Sequence, residues 1–402
     1  MLFRILYIIF FYSILVLGST YIGPVTPRQI MAIVMFAVCL KEKEIKIDKY
    51  FRVYMFFIMS YLIAGVFTGF FLESIKNVIA FYFVSYVAYE STKILIGKYN
   101  GMEFLCNAIL SFGLIDAFVS ICQMYQLPYA NAISTFLLGN SINEIYDVMA
   151  IRSQDNMFGY TVPGLVGPVP NGYLMSLIVV LSLYNKDGVL KIKNIVMFCL
   201  FLYTSFIIQE RTALVSCILI SSYCLYNIIT KTPKGKTKLW IYMFVFVAFV
   251  IVLTYAPSFY TQLMSGDSRY SYGFSLQEER GEISDTALDY ILNNPLGGIN
   301  EFLTNGHYPH NILLNAFIYG GFLGGVSIII LLIIQFKIVL KSLNWNRVSS
   351  HSLFFFAAIY TCYTLNSLTH NLSLVTGDPT IWIVWGAILS KYELDNMKLN
   401  QI

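Results

Sequence analysis

Apolar residues in this chain come in long unbroken runs, with little strict alternation of apolar and polar positions. A helix that crosses a bilayer needs about 20 predominantly apolar residues. Runs of this kind fall near 3–22, 28–40, 52–72, 76–95, 102–125, 168–184, 193–208, 212–230, 238–256, 312–340, 352–368 and 378–392. They predict an all-α, polytopic helical bundle of about twelve spans, a single transmembrane domain over 1–402. The second run is short enough to be re-entrant, and the tenth is long enough to break at Gly320-Gly321. The first run, behind Met1-Leu-Phe-Arg4, has no A-x-A site after it and reads as an uncleaved span.

Two long polar stretches interrupt the runs, at about 126–167 and 257–311. Connections of that length are usually functional or disordered. Within the second, apolar residues at helical spacing predict a surface helix over 281–292. It is ended by the turn signal Asn293-Asn294-Pro295-Leu296-Gly297-Gly298.

Composition agrees with the pattern. The chain is 57% apolar and 12% charged, where soluble domains carry about 25% charged residues. Its 30 Tyr suit the membrane–water interface, where the ring stays apolar and the hydroxyl stays wet. The net charge of +4 is dispersed in short loop clusters, which is not a nucleic-acid footprint. None of the seven cysteines forms a C-x-x-C pair, and all lie within or beside apolar runs, so they read as small packing residues.

Charge sorts by loop. With the N-terminus in the cytoplasm, only Arg28, Lys76, Arg152, Arg211, Arg269 and Arg280 of the 26 basic residues face outward. The other twenty fall on the cytoplasmic side, as the positive-inside rule requires. That orientation and an even number of spans put both termini in the cytoplasm. The outward set is also biased, with five Arg to one Lys in a chain of 18 Lys and 8 Arg. Topology alone depletes both types equally. The planar fork of Arg matches phosphate and carboxylate, so the outward face is a candidate anion site, with pairing to outward acidic residues as the alternative.

Candidate chemistry is sparse. His307 and His310 end the second long loop, where the tenth span begins. A histidine there is able to take a proton from a hydroxyl near neutral pH. The pair is also half of a metal site, but no Cys or carboxylate stands at ligand spacing and no metal is expected. Asp116 lies inside the fifth run, where a carboxylate is either functional or satisfied by a wet cleft. His370, with Asn371 and Asp378, is a candidate acceptor contact in the last outward loop. No Gly-x-x-x-x-Gly-Lys-Ser/Thr phosphate loop is present, since Gly235-Lys236-Thr237 has Thr230 where that motif has its first Gly, and there is no outward Asp-x-Asp.

Several segments together resemble one family. His310-Asn311, nine residues, Gly321, two residues and Gly324 look like the signature of the O-antigen ligase and O-antigen polymerase (Wzy-type) superfamily. Ile208-Gln209-Glu210-Arg211-Thr212-Ala213 looks like its short outward Arg turn. Arg280 followed by Asn294-Pro295-Leu296-Gly297-Gly298 looks like its Arg-helix-PLxG stretch. Gly164-Leu-Val-Gly167-Pro-Val-Pro170-Asn171 looks like its start of a middle span. The matches run in the family's order over about 150–325. Arg152 departs from the pattern by standing well upstream of the Gly-Pro-Asn segment.

The resemblance implies a glycosyltransferase C-like membrane fold with a large periplasmic loop, in the bacterial inner membrane. It implies a cofactor-free, metal-independent glycosyltransferase whose donor is an undecaprenyl-diphosphate-linked glycan. His310 would take the proton from the acceptor hydroxyl, and Arg211 and Arg280 would clamp the diphosphate. Arg152, Asn171, Glu210, His307 and Asn311 are the candidate substrate-binding residues. Asn311 has helix capping as its alternative, and Glu210 has pairing with Arg211. The favoured activity is joining of O-antigen or capsular repeat units, with a chain-length regulator as a possible partner. The alternatives are ligation of finished chains to lipid A-core, and a lipid-linked oligosaccharide flippase.

Overall fold

The computed structural model describes residues 1–16, 25–42, 47–125, 127–138, 162, 164–208, 210–231, 275–298, 309, 311–345, 351–368 and 374–399. They are helical, with no strand among the described residues. The helices are α1 (Leu2–Leu15), α2 (Pro27–Lys41), α3 (Lys49–Thr68), α4 (Phe71–Gly97), α5 (Met102–Met124), α6 (Pro128–Leu138), α7 (Pro168–Ser182), α8 (Ile192–Ile208), α9 (Arg211–Lys231), α10 (Ser275–Asn293), α11 (Ile312–Ser342), α12 (His351–Ser367) and α13 (Pro379–Leu399).

Every expected span that falls on described residues is a helix, although α1 ends early, at Leu15. The expected span at 238–256 lies outside the described residues. Among the described residues five helices are long and apolar enough to cross a membrane: α3, α4, α5, Thr212–Lys231 of α9, and α11. The expected surface helix is α10, one turn and a half longer at its start. One helix, α6, falls where the polar pattern predicts loop. Pro128 takes its first position, where a missing N–H costs nothing, and eleven residues are too few to register as a span.

The chain divides into two compact units, residues 1–108 with 278–402, and residues 109–277. In the first unit α11 packs along α3, α13 along the second half of α4, and α12 along α13. Small residues bring the axes together. A methyl on Gly320 or Gly324 would lie 3.0 or 3.2 Å from the Phe57 ring, and one on Gly386 would lie 2.9 Å from the Tyr89 carbonyl. The core is aromatic: Trp382 sits among Phe51, Tyr54 and Tyr89, and Trp385 against Tyr50 and Tyr360. The hydroxyls of Tyr54, Tyr82 and Ser85 donate to the carbonyls of Leu374 (2.6 Å), Val375 (2.6 Å) and Gly377 (2.8 Å), pinning the turn before α13.

The outer surface of this unit is as informative as its core. Phe56, Met59, Ile63, Val66 and Phe67 recur at helical spacing on the exposed side of α3, and Leu323, Ile330, Ile333 and Leu340 on that of α11. Continuous apolar stripes of this kind do not face water in soluble proteins and fit lipid chains.

In the second unit α7 is the central helix, buried along its length from Asn171 to Ser182, with α8 and α9 packed on it. A helix that is apolar all round belongs in an interior. Gly113 of α5 lets Ile178 of α7 approach, since a methyl there would lie 2.6 Å from it. The α7–α8 connection is closed by Asn194, whose amide donates to the carbonyls of Ser182 (2.9 Å) and Tyr184 (2.8 Å).

Candidate functional site

His310, His307, Arg152, His370 and Asn371 lie outside the described residues, and Arg211 and Arg280 are described as backbone only. What can be built is the scaffold that carries them. Pro309 and Asn311 flank His310, and both are anchored. The Asn311 carboxamide oxygen accepts from the N–H groups of Leu313 (2.8 Å) and Leu314 (3.3 Å), capping α11. The buried Asn315 amide donates to the carbonyl of Pro309 at 2.9 Å. Asn311 is therefore a cap, the alternative open for it in the sequence. Asn315 ties Pro309 to α11, and its only signal in the sequence is a second Asn four residues into an apolar run.

The turn at 295–298 is built into α11. Gly321 leaves helical geometry (φ 61°, ψ −164°), so the break expected at Gly320-Gly321 is present. Gly298 N–H donates to the Ile318 carbonyl at 2.7 Å, and Phe322 N–H donates to the Pro295 carbonyl at 2.8 Å. The approach is backbone against backbone. A methyl on Gly297 would lie 2.2 Å from Gly321 N, and one on Gly321 would lie 2.4 Å from Leu296 C and O. Ahead of this turn, Ala287 of α10 packs on Ile318 with Tyr290, Ile291, Leu314 and Tyr319 around them. Arg280 is seven positions before Ala287, hence on the same face of α10 and about 10 Å along it.

In the second unit, α5 grips the segment that precedes α7. Asp116 accepts from Leu165 N–H at 2.8 Å, and Gln123 accepts from Gly164 N–H at 2.8 Å. The Asn171 amide donates to Ser120 Oγ (3.1 Å) and to the Val162 carbonyl (3.0 Å). Asp116, Ser120 and Gln123 stand at i, i+4 and i+7, one face of a helix. Asn171 is fully buried and uses both amide hydrogens on the fold. Gly164 has no room for a side chain, since a methyl would lie 2.5 Å from both Asp116 Oδ1 and Asn171 Nδ2. Directly after Asn171, Gly172 admits the buried Glu210 side chain, whose Cβ and Cγ lie 2.4 Å from where a methyl would stand. Arg211 follows as the first residue of α9.

A cavity of about 370 Å³ opens in the first unit. Arg28 of α2, Tyr61 of α3, Asn77, Phe81 and Tyr82 of α4, Tyr319 of α11, and Thr376 to Pro379 line it. Val78–Tyr82 is a π-helical turn, a form that recurs at functional sites. The Arg28 guanidinium lies over the Phe81 ring, 4.8 Å from its centroid. Asn77 donates to the Tyr61 hydroxyl at 2.8 Å. Asp378 accepts from the Tyr363 hydroxyl (2.5 Å) and from Thr380 N–H (2.9 Å). Arg28 and Asp378 stand out in the sequence by sidedness, but Tyr61, Asn77 and Tyr319 carry no signal there. No family model matches the chain, and no curated protein matches it in sequence.

Proposed function

We propose that the chain is an O-antigen or capsular polysaccharide polymerase, joining undecaprenyl-diphosphate-linked repeat units on the periplasmic face of the bacterial inner membrane. In this reading it has about twelve spans and both termini in the cytoplasm. One observation carries the proposal. Segments that resemble the superfamily come together in space: Pro295–Gly298 meets Gly321 in one unit, and in the other Glu210 packs against Gly172, the residue directly after the segment that ends at Asn171. Glycines permit both contacts, so each pair is one structural device.

The chemistry follows from the residue types. Arg211 and Arg280 present planar donor forks to the diphosphate and stabilise the charge that develops on the leaving oxygen. His310 takes the proton from the acceptor hydroxyl as that oxygen attacks the anomeric carbon. The bond to the lipid diphosphate breaks in the same step, so no nucleotide, metal or cofactor is required. The apolar faces of α3 and α11 suit a site that must receive a polyprenyl tail.

Deletion of the gene tests this. The expected phenotype is surface glycan limited to a single repeat unit. Bare lipid A-core with accumulated lipid-linked chains would instead identify a ligase, and unaltered chain length would remove the proposal.

A further inference from the structure

We infer that the cavity between Arg28 and Asp378 is a saccharide-binding subsite, built from residues other than those assigned to the transfer chemistry. Its chemistry is mixed in a particular way. It contains one cation, one anion, a carboxamide and several hydroxyls, all set among the rings of Tyr61, Phe81, Tyr82 and Tyr319. A lipid chain would not choose a wall that carries both charges. A phosphate would find Arg28 offset by Asp378. A neutral polyol fits, because its C–H faces stack on aromatic rings while its hydroxyls both donate and accept.

The polar groups are held in place before any ligand arrives. The Arg28 guanidinium rests over the Phe81 ring, and the Asn77 amide donates to the Tyr61 hydroxyl. Tyr363 and Thr380 N–H fix the Asp378 carboxylate. A carboxylate has about four lone-pair sites, and among the described residues two donors bond to this one. The volume of about 370 Å³ is at the lower end of the range of about 300–1,000 Å³ for small-molecule sites. It therefore has room for a short saccharide.

The location matters as well. Tyr319 lies next to Ile318, the residue whose carbonyl is taken by Gly298, on the helix that begins directly after His310-Asn311. Identification of the saccharide as a sugar of the lipid-linked repeat unit rests on the function proposed above, whereas the subsite itself does not.

Saturation-transfer difference NMR on the full chain in detergent tests this, with free hexoses, 2-acetamido sugars, their disaccharides and inorganic phosphate as probes. The expected result is saturation transfer to at least one sugar, reduced fivefold or more in Asp378→Asn and in Tyr319→Phe, and not displaced by phosphate. Asn preserves the helix cap at 378, and Phe preserves the ring at 319, so a variant that fails to fold leaves the other to decide. Absence of transfer to every sugar, equal transfer in the variants, or displacement by phosphate would overturn the inference. None of these outcomes bears on chain length in the deletion strain, so the two ideas fail separately.

Discussion

The carbonyl of Ile318 and the N–H of Phe322 are four residues apart on α11, the spacing of a helical hydrogen bond, and both bond to the turn after α10. Gly298 donates to the first at 2.7 Å and Phe322 donates to Pro295 at 2.8 Å. The turn after α10 is thus bonded into the α11 ladder. Gly321, at that point, and Gly297, against it, both have positive φ.

Adding one carbon there should be costly. We predict that Gly297→Ala or Gly321→Ala destabilises the protein by at least about 2 kcal/mol, the sum of left-handed strain and a clash with backbone that cannot move aside. Thermal unfolding of the detergent-purified protein reads this. A midpoint equal to that of the wild type would mean that the turn is not inserted.

The grip of α5 on the 162–167 segment gives a second case. Asp116→Ala removes the acceptor for Leu165 N–H and should cost about 1–3 kcal/mol, the penalty for a buried donor left unsatisfied. Asp116→Asn retains an acceptor oxygen and should cost less. Equal midpoints for the two variants would show that Asp116 does not hold this segment through its oxygen.

For the proposed chemistry, His310→Ala should slow chain extension by about 10²–10⁴-fold, the usual contribution of a general base, without lowering the amount of protein in the membrane. Arg211→Lys should also fail, because an ammonium cannot make the paired bonds of a guanidinium. Glycan length on gels reads both variants, and normal length with Lys at 211 would discard the diphosphate clamp.

A pH dependence is built in at the start of α3. Asp48 caps the helix through Tyr50 and Phe51 N–H, each at 3.0 Å, and accepts from Tyr89 and from Lys93 at 2.9 Å. Burial alone would raise its carboxyl pKa, but the Lys93 ammonium, the Tyr89 hydroxyl and the Phe51 N–H outweigh it and hold the pKa below the usual carboxylate value. A depressed pKa stabilises the fold above the unfolded-state value of about 3.9, and the gain is lost as pH falls through the lower folded value. The midpoint difference between wild type and Asp48→Asn should therefore be constant from about pH 7 to 5 and shrink below about pH 4. A difference that grows on acidification would contradict this.

Much of the helical layout is legible in the sequence because apolar runs are local signals. The start of α2 is marked by Thr26-Pro27 with Gln29, and the break in α11 by paired glycines. Helix α6 is not legible, since eleven residues with Asn, Ser and Thr among them resemble loop. The partner of Gly321 is not legible either. Gly297 lies 24 positions away, and nothing local says which backbone a glycine makes room for. The cavity is the extreme case, with walls drawn from residues 28 to 379. Asn311 is legible only as two alternatives, of which the cap is present through the N–H groups of Leu313 and Leu314.

The inserted turn also constrains how this protein can diverge. A methyl at position 297 or 321 meets main-chain atoms, and no substitution elsewhere trims a main chain. Relatives that keep the turn must therefore keep both glycines. Gly320 and Gly324 differ, because they face the ring of Phe57. Larger residues there can be traded against a smaller one at 57, so lineages should drift at these three positions in step and stay fixed at the other two.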